Sequence, residues 1–394
     1  MYNYLIIGNG IAGLSAAGEI RKADPEGSIL IVSAEDKLTY WRTRLSDLIS
    51  KDFTNEDILV KKENWYTENK IDQKLGVKVE KIDPDKKVAV LSDGSEEEFE
   101  KLLLATGARA FVPPITNIDA EGVFAIRTSD DLVTFKDYVK DKKKLVVIGG
   151  GILGLEAAHS AKNAGLDVTV IESFDYLLAR QLDKETSAIL EEKLNEEGLK
   201  TVTGKNTSEI LVEDGRVRGI KLDDGEEIEA DAILVQTGVR SNINEAKESA
   251  LPTDRGIIVK DNLQSEEYPF IYSAGDCAQI GNFTIGLWTA SQEMGKIAGA
   301  NMTGSVETYQ KPKPFSALLL GPIKLFSAGA NSGEGIEEEK VDKDGKIYKL
   351  FKKDEDYVGA ILWNDISYQN DVKDIVFNGK DLSETKLGKE IFAK

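Results

Sequence analysis

Tyr4-Leu5-Ile6-Ile7-Gly8-Asn9-Gly10-Ile11-Ala12-Gly13-Leu14 opens with an apolar run, passes through a G-x-G-x-x-G pattern and enters a helix-like segment over residues 14–21. Strand, glycine turn and helix in this order make a nucleotide cradle. Gly8 supplies the tight turn, Gly10 lets a pyrophosphate approach the backbone, and Gly13, beside Ala12, lets helix and strand pack closely. The helix start then presents free N–H groups and a positive dipole end to phosphates. A second apolar strand, residues 28–33, leads to Glu35, about 20 residues beyond the last glycine, where a ribose-binding acid belongs.

The device recurs. Residues 145–148 are apolar, Gly149-Gly150-Gly151-Ile152-Leu153-Gly154 follows, and residues 155–163 read as a helix. Residues 168–171 form the next strand, and Glu172 closes it about 20 residues past Gly154. Gly149, Gly151, Leu153, Gly154 and Glu172 are therefore the second candidate set. The repetition extends further. Residues 77–91 and Asp93-Gly94 lead into a strand ending in Thr106-Gly107, and residues 209–222 and Asp224-Gly225 lead into one ending in Thr237-Gly238. Asp-Gly between alternating runs is a hairpin signal. Each half is thus a nucleotide-binding unit with a small β-meander, and the fold class is α/β with two Rossmann-like domains.

Composition limits what such a chain does. It has 394 residues, 69 acidic side chains against 50 Lys plus Arg, a net charge of −19, one His and one Cys. One Cys makes no internal disulfide, no dithiol pair and no cysteine-held cluster, and one His excludes a histidine-rich metal centre. The acidic balance argues against nucleic-acid and anionic-membrane binding. No signal-type N-terminus and no membrane-length apolar run are seen, so the expectation is a cytoplasmic protein. Its chemistry must come from what it binds.

After Gly238, the strand Ile271-Tyr272-Ser273 ends in Ala274-Gly275-Asp276. With this third motif, residues 1–310 resemble the two-dinucleotide-binding-domain flavoprotein reductases of glutathione-reductase-like fold. The resemblance implies FAD on the first cradle and a nicotinamide cofactor on the second. It gives Asp276 the FAD ribityl chain, and it points the helix starting at Leu287-Trp288 toward the flavin pyrimidine ring. A positive dipole end there stabilises the anion formed on reduction. Val79, in Val-x-x-Ile-Asp, matches a position whose backbone touches the adenine in relatives.

Tyr40-Trp41-Arg42-Thr43-Arg44-Leu45-Ser46-Asp47 is similar to the Y-x-R-P-x-L-S-K signature of ferredoxin- and rubredoxin-reductase-like members. The resemblance gives Arg42 the FAD pyrophosphate, for which a forked planar donor is suited. Where relatives carry a Lys that pairs with a Glu beside flavin N5, this chain has Asp47, while the Glu is kept as Glu156. Arg44 is expected to pair with Glu156 in its place. Arg127, in Arg-Thr-Ser-Asp-Asp, reads either as an FAD phosphate ligand or as a hinge ion pair.

Residues 38–50 lack the cysteines of disulfide reductases, NADH oxidases and peroxidases. Cys277 is expected to be a small buried side chain, and His159 a packing or surface residue. Glu172 favours NADH over NADPH by accepting from a ribose hydroxyl and repelling a 2′-phosphate. The domain expectation is FAD binding by 1–110 and 240–310, NAD binding by 111–239, and a C-terminal α+β interface domain over 311–394, with Trp363 in its core. By resemblance the function is that of an FAD-dependent, NADH-oxidising reductase of the NADH:rubredoxin oxidoreductase type, which serves rubredoxin or a similar small electron-transfer protein. The alternatives are a peroxide-forming NADH oxidase, a nitrite-reductase-like diaphorase, or an FAD/NAD-binding sensor without turnover. Whether the chain is a monomer or a homodimer is unreadable from its residues.

Overall fold

The computed structural model describes residues 1–393. They divide into two compact units. The first comprises Met1–Arg44, Asp52–Phe111 and Gly238–Pro312; the second comprises Leu45–Lys51, Val112–Thr237 and the stretch from Lys313 onward.

In the first unit, the strand Tyr2–Ile7 lies parallel to Ile29–Ser33 on one side and to Glu96–Leu104 on the other. Ile71–Leu75 adds beyond Ile29–Ser33, and Ile271–Ser273 pairs parallel with Glu96–Leu104. Strands buried on both faces need continuous apolar runs, as in Ile29–Ser33, where every residue is buried. Glu96–Leu104 serves two purposes. Its first residues pair antiparallel with Val88–Leu91, and its apolar end joins the parallel sheet. The change matches its composition, Glu-rich at the start and Leu-rich at the close. The helix Ile11–Ala23 follows the first glycines, and the helix Trp288–Met302 packs on it. The closeness comes from glycine: a Cβ on Gly295 would lie 2.2 Å from the Ala12 carbonyl oxygen, and one on Gly299 2.6 Å from that of Ala16.

The second unit repeats the plan. Its five parallel strands run in the order Lys200–Thr203, Asp167–Glu172, Lys144–Ile148, Ala232–Val235, Val123–Phe124. The helix Ile152–Asn163 follows the second glycines, and a meander of Thr207–Glu213, Arg216–Leu222 and Glu227–Glu229 sits beside the sheet.

From Phe315 an antiparallel sheet takes the order Phe315–Leu320, Ile323–Gly329, Asp356–Trp363, Lys346–Lys353, Ile336–Lys343. The helix Gln369–Asn378 packs against it, with Val372 and Ile375 buried. Trp363 is buried, as expected, but on the other face of its strand from Leu362, which packs in the cluster with Val372 and Ile375. The strand Ile336–Lys343 was not anticipated. It is an edge strand of mostly exposed Glu, Lys and Asp, a composition that blunts edge-to-edge association. His159 packs as expected too: its Nε2 lies 3.4 Å from the position a Gly321 Cβ would take, beneath a hairpin turn. Among the described residues no helix is long and apolar enough to cross a membrane.

Candidate functional site

The first cradle has the geometry its glycines predict. Gly8 has φ +111°, and a Cβ there would lie 2.2 Å from the Ala105 carbonyl oxygen. A Cβ on Gly13 would lie 2.0 Å from the Gly8 oxygen, so helix and strand tolerate only glycine at the crossing. Gly10 differs: nothing lies within 4 Å of its would-be Cβ, and as the residue capping the helix it gives no side-chain hydrogen bond. The first-turn N–H groups of a helix have no partner within it. An open glycine at such a terminus is a seat for an anion.

Glu35 and Arg42 come together beside this cradle. Tyr40 Oη donates to Glu35 Oε2 at 2.7 Å, Arg42 Nη1 donates to Tyr40 Oη at 2.7 Å, and Arg42 Nη2 pairs with Glu35 Oε1. Burial works to lower the Arg42 pKa, but Tyr40, Glu35 and Asp276 outweigh it and hold the guanidinium charged. The sequence placed Glu35 on a ribose and Arg42 on a pyrophosphate; here the two form an ion pair with Tyr40 as third member. Tyr40 carried no signal beyond its place two residues before Arg42.

Asp276 is held from two sides. Ser291 Oγ donates to its Oδ1 at 3.0 Å, and Ser241 Oγ donates to its carbonyl at 2.6 Å. The preceding Gly275 has φ +82°, and a Cβ there would lie 3.0 Å from the Ala12 Cβ, so the A-G-D turn rests on the glycine helix. Thr106 and Gly107 are fixed by Asn242. Thr106 Oγ1 donates to the Asn242 carbonyl, Asn242 Nδ2 donates to the Thr106 carbonyl, and the Asn242 N–H donates to that of Gly107, each at 2.9 Å. Trp288 begins its helix and stacks on Trp41, ring centroids 5.1 Å apart. Val79 is buried in the meander opposite Leu91, and Gly238 has φ +102° with open space around it. Arg44 Nη1 donates to the Asp57 carbonyl at 3.0 Å.

In the second unit, Gly149 has φ +117° and a Cβ would lie 2.5 Å from the Gln236 oxygen; on Gly154 it would lie 1.9 Å from the Gly149 oxygen. Gly151, like Gly10, is open. Leu153, on the first turn of the helix, is exposed. Glu172 is buried, and both of its oxygens accept. Its Oε2 accepts from the Gly150 N–H at 2.7 Å, and its Oε1 accepts from the Phe174 N–H at 2.9 Å and Ser173 Oγ at 3.1 Å.

Glu156, on the same helix, is partly buried, and burial with the neighbouring Asp47 charge pushes its pKa up to about 6. The turn Asp47–Ser50 is clamped to this helix: Ser160 Oγ donates to the Asp47 carbonyl at 3.0 Å and accepts from the Ser50 N–H at 3.1 Å. The charge acting on Glu156 is thus a carboxylate where a cation was expected. Arg127 precedes a capping box, in which Thr128 Oγ1 accepts from the Asp131 N–H and Asp131 Oδ2 accepts from the Thr128 and Arg127 N–H groups. The R-T-x-x-D pattern therefore has a local structural use as the start of the helix Ser129–Val139. Cys277 is fully buried, its Sγ donating to the Leu104 and Ala274 carbonyls, and desolvation pushes its thiol pKa up. Such a thiol is inert.

The comparisons with known proteins agree with these two cradles. The chain is 36% identical to a nitrite reductase [NAD(P)H] of Bacillus subtilis over 97% of its own length and 48% of that protein. It is 30% identical to an NADH-rubredoxin oxidoreductase of Clostridium acetobutylicum, over 95% of this chain and 92% of that one. A crystal structure of an NADH:rubredoxin oxidoreductase from the same species superposes with a TM-score of 0.84 at 29% identity, covering 97% of this chain and 96% of that one. The chain thus spans about half the length of some curated relatives and nearly all of others. Residues 2–295 match the family model of the pyridine nucleotide-disulphide oxidoreductases, and the chain belongs to that family.

Proposed function

We propose that this chain is an FAD-dependent reductase that oxidises NADH and passes the electrons to a small iron–sulfur carrier such as rubredoxin. The observation that carries the reading is the pair of open-glycine cradles, each with its own acid, together with a single cysteine that is buried and inert. With no thiol to relay electrons, they must leave directly for an external acceptor. The residues present fit the two cofactors: Gly10 and Gly151 leave the backbone approachable at two helix starts whose caps use no side chain.

Bound FAD would supply the hydride acceptance from reduced nicotinamide and the one-electron release that the side chains of this protein lack. The protein binds and orients. Gly8, Gly10, Ala12 and Gly13 receive the FAD pyrophosphate with Arg42, Glu35 accepts from the ribose, Asp276 accepts from the ribityl hydroxyls, and Val79, Thr106, Gly107, Arg127 and Trp288 complete that site. Gly149, Gly151, Leu153, Gly154, Glu172 and Gly238 receive NADH. Glu156 holds a proton below pH about 6, with Asp47 as the charge that acts on it. FAD domain (1–110 and 240–310), NAD domain (111–239) and C-terminal domain (311–394) are the proposed divisions.

Anaerobic mixing with NADH tests the reading. Rapid flavin bleaching, with reoxidation faster by rubredoxin than by oxygen or nitrite, is the expected result. No bleaching points to a sensor, and indifference to rubredoxin sinks the proposed acceptor. The 36% identity to a nitrite reductase favours a second reading, a diaphorase that feeds a nitrite-reducing partner; preferential reoxidation through such a partner would select it.

A further inference from the structure

Phe174 is the side chain that neither cradle's glycines nor its acid accounts for. It follows Glu172 by two residues and is 52% exposed. A lone exposed apolar residue is ordinary. What sets Phe174 apart is how its backbone is held. Its N–H donates to Glu172 Oε1 at 2.9 Å, and its carbonyl accepts from the Gly204 N–H at 2.8 Å. The next peptide on that loop is tied as well, since the Lys205 N–H donates to the Glu172 carbonyl at 3.2 Å.

The ring therefore stands on a rigid corner at the ends of the neighbouring parallel strands Asp167–Glu172 and Lys200–Thr203. Ligands of open α/β sheets bind at that strand edge. If Glu172 reads the ribose, the attached base comes near this loop, where Phe174, two residues on, offers an exposed ring. Leu153, 46% exposed, adds apolar surface on the same unit's glycine helix.

We infer that Phe174 is the platform on which the adenine of NADH stacks, so that Glu172 and Phe174 together read the adenosine half of the dinucleotide. This rests on the second cradle binding NADH. Stacking on an aromatic ring contributes about 1 kcal/mol, or roughly fivefold in affinity. It orients the nucleotide through its non-reacting end and leaves the nicotinamide contacts alone.

Calorimetric titration of the FAD-loaded protein with ADP-ribose, and separately with nicotinamide mononucleotide, tests it without turnover. Phe174→Ala should weaken ADP-ribose roughly fivefold and leave nicotinamide mononucleotide unchanged, while Phe174→Tyr should restore ADP-ribose affinity. Unchanged ADP-ribose affinity in Phe174→Ala, or equal weakening of both ligands, overturns the inference. A wild-type protein that binds neither ADP-ribose nor NAD+ removes the NADH reading itself.

Discussion

Glu172 Oε2 accepts the Gly150 N–H at 2.7 Å, so the acid assigned to the nucleotide ribose also braces the loop assigned to its pyrophosphate. Selectivity and loop order are coupled through one carboxylate. Glu172→Ala should raise the NADPH/NADH efficiency ratio, as loss of a charge that repels 2′-phosphate requires. It should also leave the Gly150 and Phe174 N–H groups without their acceptor, costing about 2 kcal/mol and several degrees of Tm. Glu172→Gln, which keeps an acceptor oxygen, should change the ratio with a smaller loss of Tm. Steady-state kinetics with both nucleotides and thermal melts check this; an unchanged ratio in both variants removes Glu172 as the selector.

The open and closed glycines make opposite predictions. Gly10→Ala places its methyl in empty space at an allowed φ of −84°, so folding should be unaffected while FAD retention falls on the order of tenfold. Gly13→Ala places a methyl 2.0 Å from the Gly8 carbonyl oxygen and should destabilise the fold by several kcal/mol, about the range of severe overpacking. Flavin release on dilution and unfolding midpoints separate the two effects. Normal FAD retention in Gly10→Ala would show that its opening is not the phosphate seat.

Glu156 carries a pH signature. Its folded pKa, about 6, lies above its ordinary value of 4.5, because burial and then the Asp47 charge disfavour the carboxylate. The neutral form is the one folding favours. Its contribution is complete below pH about 4.5 and is lost as pH rises through about 6. Glu156→Gln should therefore gain more Tm at pH 7.5 than at pH 5 relative to wild type, and Asp47→Asn should give a weaker version of the same difference. Parallel Tm profiles for wild type and Glu156→Gln across this range would contradict the assignment.

Lys349 is a buried cation that ties the C-terminal sheet to the helix Lys184–Glu196. Its side chain is 0% exposed, and its Nζ lies 2.7 Å from Asp183 Oδ2 and 2.6 Å from Glu185 Oε2. Asp183 also caps that helix, accepting from the Thr186 N–H at 2.7 Å. Lys349→Met takes the cation from Asp183 and Glu338 and leaves Glu185 with Lys340 alone, which should cost about 3 kcal/mol. Adding Asp183→Asn to it should cost less than the separate effects predict. Denaturant melts of the single and double variants measure that coupling, and strict additivity would argue against a shared network.

What was legible in the chain follows from how local each constraint is. The glycines at 8, 13, 149 and 154 obey backbone sterics within a few residues, so their spacing reveals them. Asp276 and Cys277 were readable because a strand-end motif fixes one and the apolar surroundings bury the other. The Glu35–Tyr40–Arg42 cluster was not, since each residue has an individual reading and only the folded loop shows that they engage one another. Arg127 kept two readings for the opposite reason: Thr128 and Asp131 form a helix start beside it, which an R-T-x-x-D pattern does not announce as such. The strand Ile336–Lys343 escaped because charged residues hide a strand from an apolar-periodicity reading, and Lys349 because its partners Asp183 and Glu185 lie 166 and 164 residues away in the chain.

The contact of Ala12 with Gly295 has a consequence for synthesis. The two helices that meet there are separated in the chain by the whole stretch 112–237, which belongs to the other unit. The first glycine helix emerges from the ribosome long before its partner Trp288–Met302 exists, whereas the five-stranded sheet of the second unit closes within residues 123–235. The later cradle in sequence is thus the earlier one to be finished, and the nascent N-terminal segment waits with an uncovered helix face until Trp288–Met302 has been made. On the proposed assignment of FAD to the first cradle, flavin capture follows residue 302, and a ribosome stalled before residue 288 would carry a chain with the second cradle complete and the first one not.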